Sequence, residues 1–304
     1  MTPGVASCIH SAMMVEPKTK TEAESPHTDA TRQTQDIVRQ SGTSFYWAMR
    51  RLPEEKRNAM YAIYAFCREV DDIADGSADV ETKRSRLGEW RGEVERLYGK
   101  RPRHGIAKAL LEPVDRFALH KEDFRAVIDG MEMDAAPKLR IADMAELELY
   151  CDRVACAVGR LSVKVFGLPN DIGVRLAFAQ GQALQLTNIL RDIDEDAVRD
   201  RLYLPQDLLH VHGIGGEDLS TVLSDPALEK VCELLYDVAK RRYGEARALV
   251  NLCERTDARP AVMMLDVYEK ILGKLGRRGW RNLKEPVGLS TLEKIWAALL
   301  HGLF

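Results

Sequence analysis

Two acidic runs, Asp71-Asp72-Ile-Ala-Asp75 and Asn188-Ile-Leu-Arg191-Asp192-Ile-Asp194-Glu195-Asp196, lie inside stretches that are otherwise apolar. This pairing restricts the fold more than any other feature of the chain. Each run contains an Asp-x3-Asp step, Asp71 to Asp75 and Asp192 to Asp196, and residues four apart share a helix face. Upstream, Tyr64 and Arg68 extend the first stripe, among Ala62, Ile63, Ala65, Phe66, Val70, Ile73 and Ala74. Gln185, Asn188, Asp192 and Asp196 form the second, among Ala183, Leu184, Leu186, Ile189, Leu190 and Ile193. A surface helix has a broad polar face. A narrow polar stripe on an apolar cylinder faces an internal cavity instead, and groups buried there need partners.

Carboxylates four apart repel by roughly 0.2–0.5 kcal/mol on an exposed helix, and by more in a cavity unless a cation lies between them. Oxygen ligands supplied in ones and twos suit Mg²⁺, whose shell a substrate phosphate completes. The two runs therefore predict facing helices that hold metal-bound diphosphate, with Asp71, Asp75, Asn188, Asp192 and Asp196 as metal ligands. Arg68 and Arg191, beside the acidic runs, are placed to donate to phosphate oxygens; pairing with the neighbouring carboxylates is their alternative role. A solvated acidic face explains either run alone, but not two runs in the same apolar setting.

Helix signals dominate the remainder. Pro53-Glu54-Glu55 marks a helix start. Asp143 is placed to cap a long segment to about Phe166, and Asp171 another to about Asp196. Gly159 and Gly181 fall inside these segments, where each costs about 1 kcal/mol against Ala; close helix packing or room for a substrate tail accounts for them. No alternating strand or internal repeat is evident, so the expected class is all-α. With 304 residues, 45% of them hydrophobic, the chain can bury a large core. Residues 1–34 are polar and expected to be disordered, leaving 35–304 as a single domain. The N-terminus does not fit a signal peptide.

The run Ser41-Gly-Thr-Ser44-Phe45-Tyr-Trp-Ala-Met-Arg50-Arg51-Leu-Pro53, leading into Tyr64-Ala-Phe-Cys-Arg68-Glu-Val-Asp71-Asp72, resembles the opening of the squalene/phytoene synthases, the head-to-head prenyltransferases. Gln185 through Asp192, with Arg201-Leu-Tyr203-Leu-Pro205, is similar to that family's second Asp-rich element. The resemblance runs from about residue 35 to the C-terminus. Within the family, Gly130-Met-Glu-Met-Asp134 and Tyr150 to Ser162 look most like the bacterial members that make presqualene diphosphate for hopanoids.

The resemblance implies an isoprenoid synthase-type helical bundle around a central cavity. It implies Mg²⁺-dependent condensation of two farnesyl diphosphates, with no NADPH needed for the first step, and downstream squalene-forming enzymes as partners. It further implies Tyr64, Arg68, Tyr150 and Arg191 as catalytic residues, with Tyr64, Phe45 and Tyr150 as aromatic walls for a carbocation. Substrate contacts would come from Ser41, Ser44, Phe45, Gln185, Arg201, Tyr203 and Tyr268; capping is the competing role for the two serines. The family's basic C-terminal segment is here Glu285 to Glu293, which leaves Arg277, Arg278 or Lys284 as substitutes. A phytoene, squalene or dehydrosqualene synthase, and a non-catalytic assembly factor, are the alternatives within the fold.

The net charge of −3 and the scattered arginine pairs argue against nucleic acid. Six cysteines without a CxxC pair read as small core residues of a cytoplasmic protein. No stretch of 18 apolar residues predicts a spanning helix. The stripe Ile295, Trp296, Leu299, Leu300, Leu303 and Phe304 would dock on the core or attach peripherally to a membrane.

Overall fold

The computed structural model describes residues 26–41, 45–216 and 218–288. The described residues are almost entirely helical: α1 (Pro26–Gln40), α2 (Phe45–Arg50), α3 (Glu54–Asp75), α4 (Val80–Tyr98), α5 (Gly105–Arg116), α6 (Lys121–Asp134), α7 (Met144–Cys151), α8 (Ala157–Phe166), α9 (Asn170–Val198), α10 (Gln206–Val211), α11 (Leu219–Ser224), α12 (Leu228–Val250) and α13 (Arg255–Arg278). Two short strands, β1 (Leu139–Arg140) and β2 (Arg201–Leu202), pair in parallel, with Leu139 opposite Arg201. The all-α expectation holds.

Helix α9 is the central strut, packed against α12, α8, α7 and α13. Helix α3 carries the other polar stripe on a largely buried cylinder, with ten buried residues from Ala59 to Ala74. Phe66 of α3 meets Trp90 and Phe124 edge-on at 5.4 and 5.1 Å, tying α3 to α4 and α6. Edge-to-face contacts of this kind add to what area burial alone contributes.

The local signals hold with two adjustments. Pro53 takes the N-cap position of α3 with Glu54 and Glu55 in the first turn, and the Asp143 side chain accepts from the Glu146 backbone N–H at 2.9 Å. The cap of α9, however, is Pro169. Asp171 lies one residue into the helix and makes no side-chain cap bond; its charge near the N-terminus complements the helix dipole instead. The segment from Asp143 to Phe166 is not one α-helix either, because a π-helical turn at Asp152–Cys156 separates α7 from α8.

That turn explains two glycines. A Cβ on Gly130 would come within 2.5 Å of the Val154 side chain, and one on Gly181 within 2.7 Å of the Cys156 Cα. The widened turn thus wedges between α6 and α9, and only glycine fits on either side. At Gly159 a Cβ would meet Ala177 of α9 at 3.1 Å. Close packing accounts for both Gly159 and Gly181, and both also border the cavity described below.

The N-terminal expectation changes in part. Residues 26–34 belong to α1, which packs on α3 and α5 and buries Ala30, Thr34 and Val38. The buried stripe repeats every four residues as Ala-Thr-Val, too weakly apolar for composition to reveal. Residues 1–25, Ser44 and the apolar stripe from Ile295 to Phe304 lie outside the described residues. No described helix is long and apolar enough to cross a membrane.

Candidate active site

The acidic ends of α3 and α9 share one electrostatic neighbourhood, and Arg201 of β2 stands between them. It donates to Asp75 Oδ1 at 2.7 Å, and its charge also acts on Asp71 and Asp196.

The carboxylates differ sharply in their partners. Burial and then the Asp75 charge push the Asp71 carboxyl above its usual range, although Arg68 donates to Asp71 at 3.3 Å and pairs with Asp72 at 2.7 Å. Burial also acts on Asp75, but the guanidiniums of Arg201 and Arg199 outweigh it and hold that carboxyl low. On α9, Arg191 grips its neighbour Asp192 through two bonds of 2.7 and 2.6 Å. The Asp196 carboxylate has no hydrogen bond or ion pair among the described residues. Burial, with Asp192 adding repulsion, pushes its carboxyl up to about 7.

Asn188 supplies the complementary sign of an unmet demand. Its Nδ2 donates to Gln185 Oε1 at 3.4 Å, while its buried Oδ1 has no partner. A buried amide oxygen without a donor is costly. An orphaned amide oxygen near the unpartnered Asp196 carboxylate, eight residues along α9, is hard-oxygen chemistry of the kind that fits Mg²⁺. Among the described residues no three carboxylate, imidazole or thiol groups are gathered closely enough to hold an ion alone. The predicted five ligands are therefore not preassembled, since guanidiniums occupy Asp75 and Asp192.

Beside this polar region lies a cavity of about 300 Å³ between α3, α8, α9 and α13, predominantly apolar. Tyr64, Gln185, Asn188 and Tyr268 line it together with hydrocarbon side chains such as Met60, Leu184 and Met264. Burial raises the Tyr268 hydroxyl pKa, against the opposing influence of Arg191 and Asn188. The cavity continues to Phe166 at the C-terminal end of α8, whose carbonyl accepts from Lys56 Nζ at 2.7 Å. Lys56 also pairs with Asp257 of α13 at 3.3 Å, joining three helices at that end.

Several expected contacts are placed elsewhere. Tyr150 is buried behind the site rather than on the cavity wall. Its hydroxyl donates to Asp134 Oδ2 at 3.1 Å, and its ring packs 4.8 Å from that of Tyr203. Tyr203 donates to Asp134 Oδ1 at 2.6 Å, and Arg201 donates to the Asp134 carbonyl at 2.8 Å. Arg201 and Tyr203 are thus scaffold for the acidic ends, not surfaces open to a ligand. The Ser41 hydroxyl donates to the Val38 carbonyl at the end of α1. Phe45 opens α2, and its side chain is outside the described residues. Arg278 donates through Nε and Nη1 to the carbonyls of Gly279, Leu283 and Glu285, while its buried Nη2 has no partner among the described residues.

Asp134 and Arg199 are the functional neighbours that pattern reading missed. Asp134 ends α6 outside both stripes, and burial pushes its carboxyl up to about 6 despite Tyr203, Arg201 and Tyr150. Its place three residues after Met131 in a buried helix was the available signal, since a buried carboxylate requires dedicated partners.

An all-α bundle with two acidic helix ends beside an apolar cavity defines an isoprenoid synthase. The squalene/phytoene synthase family model matches residues 38–293. Presqualene diphosphate synthase of Sinorhizobium fredii is 46% identical over 253 residues, 83% of this chain and 90% of that protein. Its counterpart from Rhodopseudomonas palustris is 45% identical over 262 residues, 86% and 94% of the two chains. The solved structure of a dehydrosqualene synthase in complex with ligand superposes with a TM-score of 0.78 at 26% identity, covering 91% of this chain and 96% of that one. The chain belongs to the squalene/phytoene synthase family, and it is an enzyme, a prenyltransferase.

Proposed function

We propose that this enzyme joins two molecules of farnesyl diphosphate head to head, forming presqualene diphosphate and releasing diphosphate and a proton. The observation that carries the reading is the apolar cavity bordered by Asn188, with its orphaned Oδ1, in a chain whose relatives at 45–46% identity are presqualene diphosphate synthases.

Asp71, Asp75, Asn188, Asp192 and Asp196 would hold Mg²⁺, which when bound neutralises charge developing on the leaving diphosphate. Arg68 and Arg191 add donors to the phosphate oxygens once released from their carboxylate partners. Tyr64, on the cavity wall, presents its ring to the allylic cation left by ionisation. A ring face contributes roughly 0.5–2 kcal/mol to a nearby cation. The hydrocarbon lining keeps water from capturing that cation before the second double bond attacks. As the cyclopropane closes, a proton leaves for an oxygen of the released diphosphate. The Tyr64 hydroxyl on the cavity wall relays it, whereas Tyr150 is sealed away with its hydroxyl on Asp134. Tyr268 and Gln185 orient the donor beside Asn188. For a product this apolar, the stripe from Ile295 to Phe304 is suited to peripheral membrane attachment.

Purified enzyme given farnesyl diphosphate and Mg²⁺, without and with NADPH, tests the reading, with geranylgeranyl diphosphate run in parallel. A thirty-carbon cyclopropyl diphosphate should accumulate in both farnesyl reactions. Squalene appearing with NADPH, or product from the longer substrate only, would overturn it.

A further inference from the structure

Both oxygens of Asp75 are taken by guanidiniums from one short stretch of chain, Oδ1 by Arg201 and Oδ2 by Arg199. The two arginines are held in opposite ways. The Arg201 side chain is 8% exposed, and it donates also to the carbonyls of Asp134 and Ala74, at 2.8 and 3.5 Å. Its backbone is fixed by pairing of β2 with β1. The Arg199 side chain is 46% exposed, and Asp75 is its one hydrogen-bonded partner among the described residues. It sits just past the end of α9, before a residue, Asp200, in the left-handed region at φ 56°.

We propose that Arg199 is a displaceable counter-ion. It covers Asp75 Oδ2 while the site lacks metal, and it turns to the diphosphate when a divalent cation takes that oxygen. The inference rests on Asp75 being a ligand for the metal, as proposed above. A guanidinium and a cation compete for the same carboxylate lone pairs, so one must leave for the other to bind. An exposed pair is weak and easily exchanged, whereas a buried one with several partners is not. Arg201 therefore stays and keeps Asp75 aimed, while Arg199 leaves. Once free, its planar fork of N–H donors matches phosphate oxygens.

The consequence is coupling. Metal alone must break the Arg199–Asp75 pair, and diphosphate alone must draw Arg199 away from it. When both bind, the pair is broken once, so each ligand strengthens the other by the same factor. Arg199 would make the site favour the metal–diphosphate pair over either ion alone.

Mn²⁺ binding to the full chain, followed by electron paramagnetic resonance with and without inorganic diphosphate, tests this without turnover. Removing an exposed pair is worth roughly two- to fivefold in affinity. Arg199→Gln should therefore tighten Mn²⁺ binding by about that factor when diphosphate is absent, and reduce the gain that diphosphate brings. Arg201→Gln should instead weaken Mn²⁺ binding, because Asp75 loses its fixed support. Equal tightening under both conditions would mean that only net charge had changed, and would overturn the proposal. So would unchanged or weaker Mn²⁺ binding by Arg199→Gln. Asp75→Ala separates the two levels. If it leaves wild-type Mn²⁺ affinity intact, Asp75 is not a ligand and both readings fall. If it weakens binding while Arg199→Gln changes nothing, the exchange alone is wrong.

Discussion

The acidic ends of α3 and α9 carry the same Asp-x3-Asp spacing and end in opposite electrostatic states. On α3, the last aspartate is neutralised from outside its helix, since Arg199 and Arg201 hold Asp75 low. On α9, the last aspartate has no such partner, and burial pushes Asp196 up to about 7. The middle of each run is balanced locally, by Arg68 on Asp72 and Arg191 on Asp192. Motif spacing thus says which carboxylates share a helix face, but tertiary partners decide which are already satisfied. A site built this way is half closed by its own cations and half open to an external one.

The largest disturbance of this asymmetry should come from Arg201→Gln. It would leave Asp75 without its buried partner and the Asp134 carbonyl without its donor, making the α3 end resemble the α9 end. Breaking a buried ion pair from one side costs about 3–5 kcal/mol. Because Asp75 is itself partly exposed, a loss near the low end, about 3 kcal/mol, is expected in urea denaturation. A loss under 1 kcal/mol would show that Arg201 does not support the α3 end.

Gly181→Ala tests what sets the level of α9 against α3. The added methyl would strike the Cys156 backbone in the π-helical turn. Overpacking of this kind costs roughly 1–3 kcal/mol, so denaturation should show about 2 kcal/mol, with a fall in turnover as the α9 acids shift. Gly244→Ala, where a Cβ meets nothing within 4 Å, serves as the control and should be neutral or slightly stabilising. Loss at both positions would argue for a general intolerance of α9 and α12 instead.

Tyr64→Phe keeps the ring and deletes the hydroxyl. About a tenfold fall in kcat, equivalent to about 1.4 kcal/mol, is expected with little change in farnesyl diphosphate binding. Equal losses in both would assign Tyr64 to packing.

A smaller and pH-dependent effect should come from Asp134, which braces Arg201 and Tyr203 from behind. Its folded pKa of about 6 lies above the unfolded value. Between roughly pH 4 and 6 the unfolded chain therefore binds fewer protons at this group than the folded one, and stability falls as pH rises through that window. Urea titrations of metal-free protein should show it in wild type and lack it in Asp134→Asn. An identical pH profile for the two proteins would contradict the assignment.

Helix content, both acidic stripes and the cap at Asp143 were legible because each depends on residues within a few positions of one another. The turn at Asp152–Cys156 was not, because its cause is a pair of glycines on other helices, Gly130 and Gly181. The pairing of Arg201 with Asp75 spans 126 residues, and neither local spacing nor charge patterning reaches that far. Tyr150 misled for a related reason. Its closeness in sequence to a recognisable motif suggested the cavity wall, whereas Asp134 from α6 draws its hydroxyl to the opposite side. Residues 26–34 show the limit of composition, since a single Ala-Thr-Val stripe suffices when α3 and α5 supply the other half of the contact.

The central claim is that the two acidic helix ends form one site. Asp71→Ala, Asp192→Ala and the double variant, assayed for turnover of farnesyl diphosphate over a range of Mg²⁺ with the fold checked by circular dichroism, test it most directly. Residues that act as a unit are strongly non-additive. Each single change should abolish presqualene diphosphate formation with the helices intact, and the double change should cost no more than either alone. A folded double variant that still turns over, and does so without Mg²⁺, would contradict the account.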